Sequence, residues 1–133
     1  MIRNYETPEG TIALLDSTSV TIPVKVFTSS TTGGPIAGGV TGRTNAVTTI
    51  AFCNTAAPSA SDETTNAVAV NIYIVRSGKS FVAGNLIVSN LTVPAGETVF
   101  FSEERIVLDS GDEIWVGTSA ASRLSVTVSS LAV

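Results

Sequence analysis

This chain alternates apolar and polar residues with a period of two, and that period constrains its fold more than any other feature. Val20, Ile22, Val24 and Val26 share one parity, with Thr21, Pro23 and Lys25 between them. Val68, Val70, Ile72 and Ile74 repeat the pattern around Ala69, Asn71 and Tyr73, and Leu124, Val126 and Val128 alternate with Ser125, Thr127 and Ser129. Successive side chains of a strand point to opposite faces, so these runs read as half-buried strands, and their β-branched residues suit a pleated surface. Further strands are expected near residues 11–15, 46–53, 86–93, 97–102, 105–109 and 112–117, and no window sustains a helical period.

Eight or nine short strands, with no helices to make parallel crossovers, imply an all-β chain. The expected fold is a single antiparallel β-sandwich, jelly-roll or immunoglobulin-like. A length of 133 residues suits one such domain over residues 1–133, with residues 1–10 as an N-terminal arm. Pro23 cannot donate a ladder hydrogen bond, which marks its strand as an edge or a bulge.

Two short stretches read as tight reversals. "VPAGET" places Pro94 and Gly96 where a fixed φ is followed by a permissive residue, and "DSGD" does the same at 109–112. If Ser110 and Gly111 are the centre of a hairpin, Asp109 pairs with Asp112, Leu108 with Glu113, Val107 with Ile114 and Ile106 with Trp115. Ile106 and Trp115 would then be left for a second layer or a partner subunit. The alternative is an arch between two sheets that puts Trp115 in the single core. Residues 28–45, with five glycines, and 54–67 are longer than most connections, so each is either mobile or held by something. Residues 76–85 carry Phe81 and Val82, which a solvated loop does not need. All three are candidate contact loops, and the other reading of Phe81 is a lid folded back over the sandwich edge.

Little in the chain suits catalysis. There is no histidine, which removes the usual general base, the commonest zinc ligand and every Ser-His-Asp or Cys-His arrangement. Cys53 ends an apolar run with no charged neighbour in sequence, and is expected to be a buried, inert thiol. The glycines of "GGPIAGGVTG" lack the phosphate-loop spacing. Glu103, Glu104, Asp109, Asp112 and Glu113 lie beside turn residues and are expected to be solvated, in structural or capping roles and not as paired catalytic acids or a Ca²⁺ site. No enzyme activity, cofactor or metal is expected.

Charged residues make up 14% of the chain, against roughly 25% in an average soluble protein, while Ser and Thr supply 34 positions and Val 17. Charge keeps monomers apart, so a surface this poor in it suits a subunit packed against others. The seven basic residues are scattered and the net charge is -4, which argues against nucleic acid as a partner. The start "MIRNYETPEG" lacks the apolar run of a signal peptide and no stretch is long enough to span a bilayer as a helix, so synthesis in a cytoplasm and no membrane partner are expected.

The stretches "VAVNIYIV", "NLIVSNLTVPAGETVFF" and "ERIVLDSGDEIWVGTSAASRLSVTVSSL", over residues 68–133, resemble the C-terminal part of small β-sandwich virion proteins of tailed bacteriophages, of the marine and cyanobacterial phage type. The resemblance covers about half of the chain and carries over no functional residue. It implies a non-enzymatic structural subunit of the virion, made in the host cytoplasm. The first expectation is a capsid decoration or cement protein, a homo-oligomer with a trimer among the options, that contacts the major capsid protein or other virion proteins. Its candidate contact residues are Arg3 and Tyr5 in the arm, Pro35, Ile36 and Arg43 in the glycine-rich segment, and Phe81, Ile106 and Trp115. A neck, tail, baseplate or fibre subunit is the neighbouring reading. A carbohydrate-binding adhesion module, stacking sugars on Tyr5, Tyr73, Phe81 or Trp115, is the reading from another class.

Overall fold

The computed structural model describes residues 2–6, 23–29, 44–62, 64–102, 104–120 and 123–132. Among them are nine strands: β1 (Ile2–Glu6), β2 (Val24–Thr28), β3 (Asn45–Asn54), β4 (Val68–Val75), β5 (Leu86–Val93), β6 (Thr98–Phe101), β7 (Ile106–Leu108), β8 (Glu113–Thr118) and β9 (Leu124–Ala132). A single 3-10 turn at Ala83–Asn85 is the only helical segment among these residues. The strand expected near 11–15 and residues 20–22 lie outside the described residues.

The strands form two antiparallel sheets. The front sheet runs β1-β9-β3, and the far edge of β3 is shared by β6, opposite residues 50–53, and β7, opposite residues 45–47. β6 and β7 are therefore one strand broken at residues 102–105. The back sheet runs β2-β8-β4-β5. Counting β6 and β7 once leaves eight strands, and only β4 and β5 are both consecutive in the chain and paired. The other connections cross from one sheet to the other, which is the jelly-roll arrangement and not the immunoglobulin one. β2, the strand that follows Pro23, lies on an edge.

Inward residues of both sheets make one core. Val47, Ile50, Phe52, Ile106, Leu108, Leu124, Val126 and Val128 come from the front sheet, and Val26, Val68, Val70, Ile72, Ile114 and Val116 from the back. Alternation sets which residues these are, except at bulges. The register of β3 on β9 shifts between Val47 and Thr49, and this extra residue places Ala46 and Ala51 on the same outer face although five positions separate them. On the exposed edge strand β5, Asn90 takes a φ of 57° and its N–H is bonded to Asn71 Oδ1 at 2.8 Å. The resulting irregularity blunts an edge that would otherwise offer a regular ladder to another chain.

The two expected reversals occur, but neither makes a hairpin. Glu97 N–H bonds Pro94 O at 3.1 Å and Asp112 N–H bonds Asp109 O at 3.1 Å, with Gly96 and Gly111 as the second central residues at φ values of 72° and 84°. A positive φ at the second central position alone is the type II pattern, whereas two-residue hairpins need the mirror-image turns with a positive φ at the first. Each turn accordingly sends the chain to the opposite sheet. β7 pairs with β3 while β8 pairs with β2 and β4, so the pairing of Ile106 with Trp115 does not exist.

Residues 2–6 belong to the segment expected as an N-terminal arm. They form β1, zipped onto β9 from Ile2 opposite Leu131 to Glu6 opposite Thr127, where they satisfy a ladder edge that β9 would otherwise leave open. The 54–67 connection is held at its base by Asn54, a fully buried residue. Its Nδ2 donates to Asn66 O at 2.8 Å and Val93 O at 3.0 Å, and its Oδ1 accepts from Ala56 N–H at 3.0 Å.

Candidate interaction surface

The sequence candidates fall in different places. Ile106 points into the core and is unavailable to a partner. By backbone register Arg3 is opposite Ser130 and Tyr5 opposite Val128. Pro35, Ile36 and Arg43 lie outside the described residues. Phe81 and Trp115 come together on the outer face of the back sheet, with Tyr73. The ring of Phe81 is 4.9 Å from Tyr73, edge to face, and 5.3 Å from Trp115, tilted by 30°. Tyr73 and Trp115 are register neighbours, with Leu86 and Lys25 beyond them in the same row. Trp115 is thus in neither the core nor the open: its alternation neighbours Ile114 and Val116 take the core, and its own chain covers it.

That cover is built by the 76–85 loop. Lys79 N–H closes a turn on Arg76 O at 3.0 Å, with Gly78 at a φ of 73°. Further along, Val82 N–H donates to Asn85 Oδ1 at 2.8 Å while Asn85 N–H returns to Val82 O at 3.0 Å, which tightens the segment that follows Phe81. At the foot of the loop is Asp112, only 2% exposed, which corrects the expectation of a solvated acid. Its Oδ2 accepts from Arg76 Nη1 at 2.6 Å and from Asp109 N–H at 3.0 Å, and its Oδ1 accepts from Ser77 N–H at 2.9 Å. Its backbone carbonyl accepts from Ser29 N–H at 2.8 Å. One residue therefore clasps three segments, its carboxylate the 76–79 and 109–112 turns and its backbone carbonyl the residue after β2. Burial works against ionisation of Asp112, but the Ser77 N–H, the Arg76 side chain and the Asp109 N–H hold its carboxyl below the ordinary 3.8. Beside the aromatic group, Lys25 Nζ pairs with Glu113 Oε2 at 2.8 Å.

Among the described residues no loop folds over the front sheet in this way. Phe100 is 63% exposed, Val107 55% and Leu131 37%, all on its outer face. Register places Ala46 between Val107 and Leu131, and Ala51 between Phe100 and Thr127. Each row thus sets an alanine of β3 beside an exposed apolar residue, Phe100 at one end of the face and Val107 at the other. β3, β6, β7 and β9 contain no Asp, Glu, Lys or Arg. Cys53 lies on this face and is half-buried, because the alternation that buries Phe52 turns it outward; the expected core position is wrong. Phe100, Val107 and Leu131 were not among the sequence candidates. The available signal was an apolar residue of outward parity, Phe100 between Val99 and Phe101, and Val107 between Ile106 and Leu108.

Fold and surface together define a jelly-roll sandwich whose back face has Tyr73 and Trp115 covered by the chain's own loop, with Val82 and Leu86 still exposed, and whose front face sets Phe100, Val107 and Leu131 among neutral Ser and Thr positions of β3 and β9. Compared with family models, with curated proteins and with solved structures, the chain matches none.

Proposed function

We propose that this chain is a non-enzymatic structural subunit of a phage particle, most simply a decoration or cement protein that stabilises the head shell through contacts with neighbouring subunits. The observation that carries this reading is the part of the front face formed by β3, β6, β7 and β9, which holds no Asp, Glu, Lys or Arg and exposes Phe100, Val107 and Leu131. Large apolar side chains exposed on a neutral surface suit a contact region, since an isolated subunit gains nothing by presenting them to water. The jelly roll is used by viral capsid domains, which supports the reading, although a fold alone does not assign a function. Partners in the particle would be the major capsid protein or other virion proteins, and a neck, tail, baseplate or fibre position is the same proposal at another site. The test is to add purified protein to particles that lack it. Saturable binding is expected, with Phe100→Asp lowering occupancy; particles that take up no wild-type protein would overturn the proposal.

Lectin domains also use jelly rolls, and the gathering of Tyr73, Phe81 and Trp115 on one face favours a second reading as a carbohydrate-binding module. In that reading a sugar ring displaces Phe81 to stack on Trp115. Glycan-array binding that is lost on Trp115→Ala would support it, and an empty array would remove it.

A further inference from the structure

We infer that the 76–85 loop is a hinged lid, fastened at Asp112 and at the start of β5, that swings off Tyr73 and Trp115 while the sandwich stays folded. The lid is independent of the particle reading; on the carbohydrate reading of the same face it is what regulates the site.

The way the loop is held points to this. From Arg76 to Gly84 every residue is exposed except Phe81, which is half-buried. A β-carbon added at Gly78 or at Gly84 would meet nothing within 4 Å, so at both positions the backbone faces open space on that side. The hydrogen bonds of the loop are its own. Lys79 N–H reaches Arg76 O, Val82 N–H reaches Asn85 Oδ1, Asn85 N–H reaches Val82 O, and Leu86 N–H reaches Ala83 O. Among the described residues no hydrogen bond runs from 78–85 to the sheet beneath. What fastens the middle of the loop is the Phe81 ring, seated on Tyr73 and Trp115.

Both ends, by contrast, are fixed. Ser77 N–H is bonded to Asp112 Oδ1 at 2.9 Å, and Leu86 is in register with Tyr73. Swinging about these two points breaks ring contacts and leaves the 76–79 and 82–85 turns intact. Contacts of one half-buried phenyl ring favour the closed form by roughly tenfold to a hundredfold, whereas a small domain favours the folded state by roughly a thousandfold or more. The lid therefore opens far more often than the protein unfolds.

Opening presents an aromatic ledge, with Tyr73 and Trp115 side by side between Leu86 and Lys25 in one row across the four strands. In the closed form Phe81 is the ring on that ledge. A ring from outside competes with it, and its apparent affinity falls by the ratio of closed to open molecules.

Thiol labelling tests the lid. In a Cys53→Ser background, Tyr73→Cys places a thiol beneath Phe81 and Val70→Cys places one in the core of the same strand. With iodoacetamide, position 73 is expected to react at least about tenfold faster than position 70, at a rate nearly flat in low urea, while the rate at position 70 climbs with the slope of global unfolding. Adding Phe81→Leu speeds position 73 by a further threefold or so and position 70 by less, because the ring is what holds the lid down. Trp115, the only tryptophan, reads the same face with Tyr73 in place: acrylamide quenching is stronger in Phe81→Leu than in the wild type under conditions where both are folded. Equal rates and equal urea slopes at positions 73 and 70, an equal effect of Phe81→Leu on both, or unchanged quenching overturns the lid. An empty glycan array beside fast labelling at position 73 removes the carbohydrate reading and leaves the lid standing; glycan binding beside equal labelling does the reverse.

Discussion

On the back sheet, Phe81 swings over Tyr73 and Trp115 and leaves Tyr73 only 9% exposed; on the front sheet, Phe100 and Val107 stand more than half exposed. Both faces carry apolar residues at outward positions, so the contrast is not one of composition along the strands. It lies in what the connections do. The β4–β5 connection stays within one sheet and is long enough to fold back across it, whereas β6 and β7 are joined only by residues 102–105 along the front edge. The back face has a cover over Tyr73 and Trp115, and among the described residues the front face has no such cover over Phe100 and Val107.

The largest effect is expected where the cover is fastened. Asp112→Ala leaves the Ser77 and Asp109 N–H groups without their acceptor and Arg76 without its partner, and should destabilise the fold by about 3 kcal/mol in chemical denaturation. The same clasp makes the protein acid-sensitive with a definite sign. The folded-state value lies below the ordinary 3.8, so the contribution of Asp112 is fully present above about pH 4 and is lost as the pH falls through the folded value. Melts recorded from pH 5 to pH 2 should show a smaller acid-side loss in Asp112→Asn than in the wild type; parallel losses would show that the carboxylate does not clasp the turns.

A smaller effect is expected at the cover itself. Phe81→Ala removes two ring contacts from a half-buried side chain and should cost about 2 kcal/mol, with the Trp115 emission moving to the red as its ring meets water. An unchanged spectrum would mean that Phe81 does not shield Trp115, and would erase the distinction between the faces. The smallest effect lies behind the open face. Ser130 points inward from β9 with its hydroxyl buried and without a hydrogen-bond partner, so Ser130→Ala should raise stability by about 1 kcal/mol. A loss of similar size would show that the hydroxyl is satisfied.

Much of this fold is legible in the sequence because alternation is a local property. Residues 86–93 are expected as a strand and form β5 over that span, and residues 46–53 lie within β3. The crossings are harder to read. Ala95-Gly96 and Ser110-Gly111 look like hairpin centres, yet each has its glycine second, and without Asn, Asp or Gly at the first position the turn twists the wrong way for a hairpin. Read with that rule, the same residues argue for arches, and the placement of Ile106 in the core follows. The buried state of Asp112 was not legible, since its partner Arg76 lies 36 residues away and is brought near only by the pairing of β4 with β8. Phe100 and Val107 were visible as apolar residues of outward parity, but the assumed hairpin gave Val107 a partner in Ile114 that it does not have.

The crossings also set the order in which this molecule can assemble itself. Among the described strands, β4 and β5 are the one pair that meets by closing a short loop, ten residues from 76 to 85. Every other ladder joins strands with at least one further strand between them in the chain, β1 and β9 being the extreme. The entropy of closing those long loops must be met before their contacts return anything, which places such topologies among the slower folders. The β4–β5 hairpin is then the natural seed, and the Phe81 loop that covers the finished back face belongs to the first piece of the protein able to hold a shape.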